Sequence, residues 1–126
     1  MARVMIVDDA EFMRMAIRDT LFKHGHEVVA EVADGDEAIQ KYLEVKPDLV
    51  LMDIMVPDNV PDSKNWKKLL DKFLVIDHKA KMAMFSSLGQ QVLITESMKI
   101  GAMGFVVKPF ESDGMMDVIR KIAEPN

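Results

Sequence analysis

The chain of 126 residues has room for about one domain, and its 49% apolar and 29% charged residues match a folded globular protein, which excludes disorder and fibrous repeats. No apolar run approaches the ~20 residues of a membrane span, the first residues lack a signal-peptide core, and the absence of cysteine excludes disulfides and thiolate metal sites, so the cytoplasm is the expected compartment. A formal charge of -5 argues against nucleic acid and for a protein or a small charged ligand as partner.

The first predicted strand, RVMIV over 3–7, runs directly into Asp8-Asp9. Adjacent carboxylates at a half-buried strand end repel one another, and they call for positive charge nearby. A helix follows with Met13, Ala16, Ile17 and Leu21 on its apolar face and Gly25 at its stop. The second strand, EVVAEV over 27–32, offers Glu31 and Asp34, for which the pattern has no further use. Ala38, Ile39, Tyr42 and Leu43 mark the next helix, and DLVLMD over 48–53 the third strand, ending in Asp53. Trp66, Leu69, Leu70 and Phe73 then stand at i, i+3, i+4, i+7, with Ser63 as the expected N-cap. The fourth strand, KMAMFS over 81–86, ends in Ser86-Ser87 and leads to a weaker helical pattern whose best apolar pair is Ile94 and Met98, stopped by Gly101. GFVV over 104–107 forms the fifth strand, ending in Lys108-Pro109, and Met115, Val118, Ile119 and Ile122 form the last helix, with Ser112 as its expected N-cap.

Five short apolar strands alternating with five helices predict an α/β fold: an open, doubly wound parallel sheet with right-handed crossovers and helices on both faces. In such sheets ligands gather beyond the carboxyl ends of the strands. Four of the five strands deliver a charged or hydroxyl group to that rim. Asp8, Asp9 and Asp53 converging there would repel one another unless a divalent cation sat among them, and magnesium suits hard carboxylate oxygens. A carboxylate can also attack a phosphoryl group, while Lys108 and Ser86 could contact the phosphoryl oxygens. Taken singly, Asp9 reads as an N-cap, Asp53 as a loop acid, Ser86 as a turn residue and Lys108 as a solvated lysine. Their placement at the same end of successive strands is what points to chemistry.

Asp8-Asp9 after the first strand, Asp53 after the third, Ser86 after the fourth and GFVVKPF closing the fifth resemble the receiver domain of two-component response regulators, over about residues 3–122. The stand-alone chemotaxis receivers of the CheY type are the nearest in kind, and SSLGQQ from Ser86 to Gln91 is similar to the corresponding stretch in archaeal and some deep-branching bacterial members. The resemblance implies a flavodoxin-like (βα)5 sheet of order 2-1-3-4-5 and one receiver domain over 1–126 with no output domain. It implies magnesium held by Asp8, Asp9, Asp53 and the main-chain carbonyl of Met55. Asp53 would be phosphorylated from a histidine kinase, with transfer and slow dephosphorylation catalysed by the receiver itself. Lys108 would pair with the phosphate, Lys108-Pro109 would be a cis bond, and Ser86 with Phe105 would form the switch. The implied partners are the kinase, a phosphatase, and a downstream protein reached through the face of the fourth helix, fifth strand and fifth helix. That protein would be a motor component, an adaptor or a phosphotransferase. A relay intermediate and a non-phosphorylated adaptor are the rival functions. A magnesium phosphohydrolase is disfavoured because Met55 stands where such enzymes carry a second acid.

The chain departs from the family pattern after Asp53, where Val56 replaces a methionine and Pro61 a glycine, while Pro57 is kept. Proline cannot adopt the conformations glycine serves, so the loop is expected to differ in shape. Lys64, Lys67 and Lys68 make the third helix basic and read as a solvated face. The 12 methionines read mainly as core packing, and His24, His26 and His78 as surface residues outside the rim.

Overall fold

A computed structural model describes residues 1–54, 65–87, 91–108 and 112–123, with the side chains of Asn65 and Ser87 outside the description. The strands are β1 (Arg3–Val7), β2 (Glu27–Val32), β3 (Leu49–Asp53), β4 (Met82–Ser87) and β5 (Gly104–Lys108). The helices are α1 (Glu11–Lys23), α2 (Gly35–Val45), α3 (Asn65–Ile76), α4 (Gln91–Ile100) and α5 (Ser112–Ala123). The strands pair in parallel in the order β2-β1-β3-β4-β5, the arrangement expected of the family.

Alternation along the strands sends side chains to two cores. Met5, Val7, Val50, Met52, Met82 and Met84 face one side, where they meet Ala38, Tyr42, Trp66, Leu70 and Phe73 of α2 and α3. Val4, Ile6, Leu49, Leu51, Phe85 and Val106 face the other, against Ile17 and Leu21 of α1 and Met115, Ile119 and Ile122 of α5. The strand methionines are therefore core, as expected, whereas Met15, Met98 and Met103 are exposed. Trp66 belongs to the buried stripe of α3, so the basic helix presents lysines without it.

Several local expectations shift. Gly25 and Gly101 follow α1 and α4 with φ of 81° and 143°, the stop role predicted for them. Ser112 is the first residue of α5 rather than its cap, and Ser63 lies outside the described residues. The inward stripe of α4 is Leu93, Ser97 and Ile100, with the Ser97 hydroxyl donating to the Ile94 carbonyl at 2.7 Å. The sequence pair Ile94 and Met98 instead lines an open groove. His26 is half-buried, and its Nδ1 accepts the Ala2 amide at 3.0 Å.

The Tyr42 hydroxyl on α2 donates to Asp77 Oδ2 just beyond α3 at 2.7 Å, and its ring packs edge-on against Phe73. Burial and then Asp77 push the phenol's pKa up; its hydrogen bond, with that of the Lys79 amide, lowers that of Asp77 from 3.8. The depressed folded value means that this contribution is present above 3.8 and lost as pH falls through the folded value. Tyr42→Phe is accordingly expected to lower the melting temperature near neutral pH, with the deficit shrinking in acid; an equal deficit at both pH values would assign it to packing.

Candidate functional site

The carboxyl ends of β1, β3, β4 and β5 meet at one rim because parallel strands of similar length end together. Asp53 closes β3 opposite Phe85, and the Ile54 amide donates to the Phe85 carbonyl at 2.8 Å, so Ser86 follows beside it on β4. Ser86 and Ser87 pair in turn with Val107 and Lys108 of β5. Asp8 extends β1, its amide donating to the Val32 carbonyl at 3.0 Å.

Carboxylate oxygens of Asp8, Asp9 and Asp53 lie within 4.8 Å of one another. Asp8 is 1% and Asp53 9% exposed, whereas Asp9 faces solvent. Asp9 is not the N-cap of α1: Ala10 holds that position and has no side-chain cap, while Asp8 Oδ1 accepts the Ala10 amide at 2.9 Å. Lys108 Nζ donates to Asp53 Oδ2 at 3.0 Å and to Asp8 Oδ2 at 3.4 Å.

These contacts set the electrostatics. Burial raises the Asp8 pKa, and the Asp53 charge adds to that against the opposing Ala10 hydrogen bond and Lys108. For Lys108 burial acts downward, but the hydrogen bond and charge of Asp53, then of Asp8, outweigh it and leave its pKa raised. The ammonium is thus fixed as the counterion of two buried carboxylates. Ser86 is 1% exposed, and its Oγ has no hydrogen-bond partner among the described residues. A buried unpaired hydroxyl is costly and at a polar rim marks a ligand-facing group.

Three hard-oxygen donors in this cluster can accept a divalent cation of the magnesium class. Met55 and Pro109 lie outside the described residues, as do the residues of the altered loop up to Lys64. Phe105 is 43% exposed and borders a groove of about 710 Å³ with Gln91, Ile94, Met98 and Lys99.

The two acids without an expected use both acquire one. Asp34 caps α2, its Oδ1 accepting the Glu37 amide at 2.9 Å. Glu31 lies between Arg14 and Arg18 of α1, at 3.7 Å and 2.8 Å. Arg14 also donates to the Asp8 carbonyl at 2.6 Å, which brings it into the site. Arg14 and Arg18 stand four apart on one helix face, but nothing in the sequence pairs that face with Glu31 of the second strand.

The profile described as a response regulator receiver domain matches residues 4–120. The chain is 41% identical to the chemotaxis protein CheY of Thermotoga maritima over 97% of this chain and 98% of that one. It is 45% identical to the CheY of Bacillus subtilis over 94% and 95%. Among solved structures, the receiver domain of NtrX from Brucella abortus superposes with a TM-score of 0.86 at 26% identity, covering 98% and 99% of the two chains. The CheX-CheY-BeF3-Mg complex from Borrelia burgdorferi gives 0.84 at 27% identity, covering 94% of this chain and 87% of that one. With this sheet order and this acidic rim, the chain belongs to the response regulator receiver family of two-component signalling and is homologous to the chemotaxis CheY proteins.

Proposed function

We propose that the chain is a single-domain switch phosphorylated on Asp53 by a histidine kinase, passing its signal on by a change in protein binding, in chemotaxis. The observation that carries this reading is the Lys108 ammonium bridging Asp53 and Asp8 at 3.0 and 3.4 Å, inside a cluster of three carboxylates.

An Asp53 oxygen attacks phosphorus as the phosphorus–nitrogen bond to the donor's imidazole breaks, and the imidazole leaves with the electron pair. Asp8, Asp9 and Asp53 would hold magnesium, which supplies positive charge against the phosphoryl oxygens. Lys108 takes one oxygen of the acyl phosphate, and the unpartnered Ser86 hydroxyl donates to another. The pull on Ser86 is relayed to β5, where Phe105 turns from its exposed position into the groove beside α4. This shifts an equilibrium between two receptive forms of the face made by α4, β5 and α5, where the target reads it. The kinase and a phosphatase act at the acidic rim.

The test is intact mass after incubation with acetyl phosphate and magnesium. The wild-type chain is expected to gain one phosphoryl group, and Asp53→Asn or magnesium removal to abolish the gain. No gain, together with no binding of beryllofluoride and magnesium, would leave the adaptor reading in its place.

A further inference from the structure

We propose that Arg14 is a positioning residue of the acidic rim, anchoring the peptide that carries Asp8 and Asp9, and that Glu31 holds Arg14 to this task. The inference rests on the reading of Asp8, Asp9 and Asp53 as the magnesium ligands.

β1 ends at Val7, and the next peptide leaves the ladder. The Asp8 amide still reaches Val32, but the Asp8 carbonyl accepts from the Arg14 guanidinium at 2.6 Å. A side chain therefore sets the plane of the Asp8–Asp9 peptide. Both carboxylates hang from that unit, so its tilt determines how they face Asp53.

A guanidinium bonded to the Asp8 carbonyl would, without an acid of its own, be free to turn toward the rim carboxylates. It would then compete with a metal for the same oxygens. Glu31 opposes this from the edge strand: its Oε1 stands 3.7 Å from Arg14 Nε, and its other oxygen accepts from Arg18 at 2.8 Å. The Arg14 side chain is only 17% exposed and Glu31 23%, so the pair is shielded, whereas Arg18 at 44% is the outer member. Arg14 thus makes its ion pair on one side and its carbonyl bond on the other. Outer contacts that orient metal ligands commonly change affinity by about 10–100-fold when removed.

Two effects of removing Arg14 have opposite signs. Loss of a nearby cation alone would tighten magnesium binding, whereas loss of the anchor weakens it. The experiment is a magnesium titration by amide chemical shifts of wild type, Arg14→Met, Arg14→Lys, Glu31→Gln and Arg18→Met. A carbonyl-carbon shift of Asp8 is read beforehand in chelator. Arg14→Met is expected to weaken binding about tenfold and to move the Asp8 carbonyl shift. Arg14→Lys keeps the charge without the planar fork and should also weaken binding. Glu31→Gln should weaken it several-fold, and Arg18→Met should leave it within about twofold, since Arg18 shares Glu31 but makes no contact with Asp8. Tighter binding by Arg14→Met, or wild-type behaviour of Arg14→Lys, would overturn the proposal in favour of simple charge; equal losses in Arg14→Met and Arg18→Met would overturn it in favour of general α1–β2 stability. If the wild-type chain binds no magnesium, the metal reading itself fails, and the carbonyl shift in metal-free protein decides the anchor by itself.

Discussion

Lys108→Met is expected to destabilise the metal-free protein by about 2 kcal/mol, lowering its melting temperature by roughly 8 °C. The ammonium lies 3.0 Å from Asp53 and 3.4 Å from Asp8, with its side chain 18% exposed. Removing it leaves two buried carboxylates facing each other without this counterion. A fully enclosed pair would cost more, but this one opens onto the rim. The sign follows from linkage. Lys108 has its folded pKa raised above 10.5, so its stabilisation is complete below that value and lost only as pH rises through the folded one. Near neutral pH the whole contribution is therefore at stake. Magnesium should restore much of the loss, because a cation bound to the folded state alone stabilises it by mass action. Melting curves with chelator and with saturating magnesium measure both effects. Equal melting of variant and wild type in chelator would mean that solvent already screens the carboxylates and the contact contributes nothing.

The features readable in sequence are those set by short-range pattern. The three central strands, buried on both faces, and the two half-buried edge strands all appear as short apolar runs, and their ends fall within a residue or two of the observed limits. Asp8, Asp53, Ser86 and Lys108 were legible because strand ends fix where a residue lies without knowledge of its side-chain contacts. The contacts themselves were not. Glu31 touches arginines 13 and 17 residues away, and Tyr42 reaches Asp77 across 35, distances at which no helical or strand period operates. The α4 face was misjudged because its buried position is a serine, Ser97, whose hydroxyl is satisfied within its own helix. Apolar Ile94 and Met98 meanwhile serve the groove. There residue type and burial part company, as they do where a surface binds something.

The same logic extends from the counterion to the acids. Lys108 and the Ala10 amide compensate Asp8 only in part: it is 1% exposed, and burial, with the Asp53 charge, leaves its pKa raised. Folding therefore disfavours its charged form. That penalty is absent below 3.8, where the unfolded carboxyl is also protonated, and complete once pH exceeds the raised folded value. Asp8→Asn keeps the Oδ1 acceptor for the Ala10 amide and leaves Lys108 its shorter bond to Asp53. The variant is expected to gain about 1 kcal/mol without metal near neutral pH, raising the melting temperature by roughly 4 °C. The gain should vanish in acid. Magnesium affinity should move the other way, falling by about tenfold or more, because a charged oxygen donor is lost from the cluster. Opposite signs for stability and affinity are what separate a site maintained for binding from an acid tolerated by the fold. Thermal melts in chelator at two pH values, set beside a magnesium titration, give both signs; a variant that lost stability and affinity together would make Asp8 a structural residue of the β1–α1 turn, its carboxylate an ordinary part of the fold.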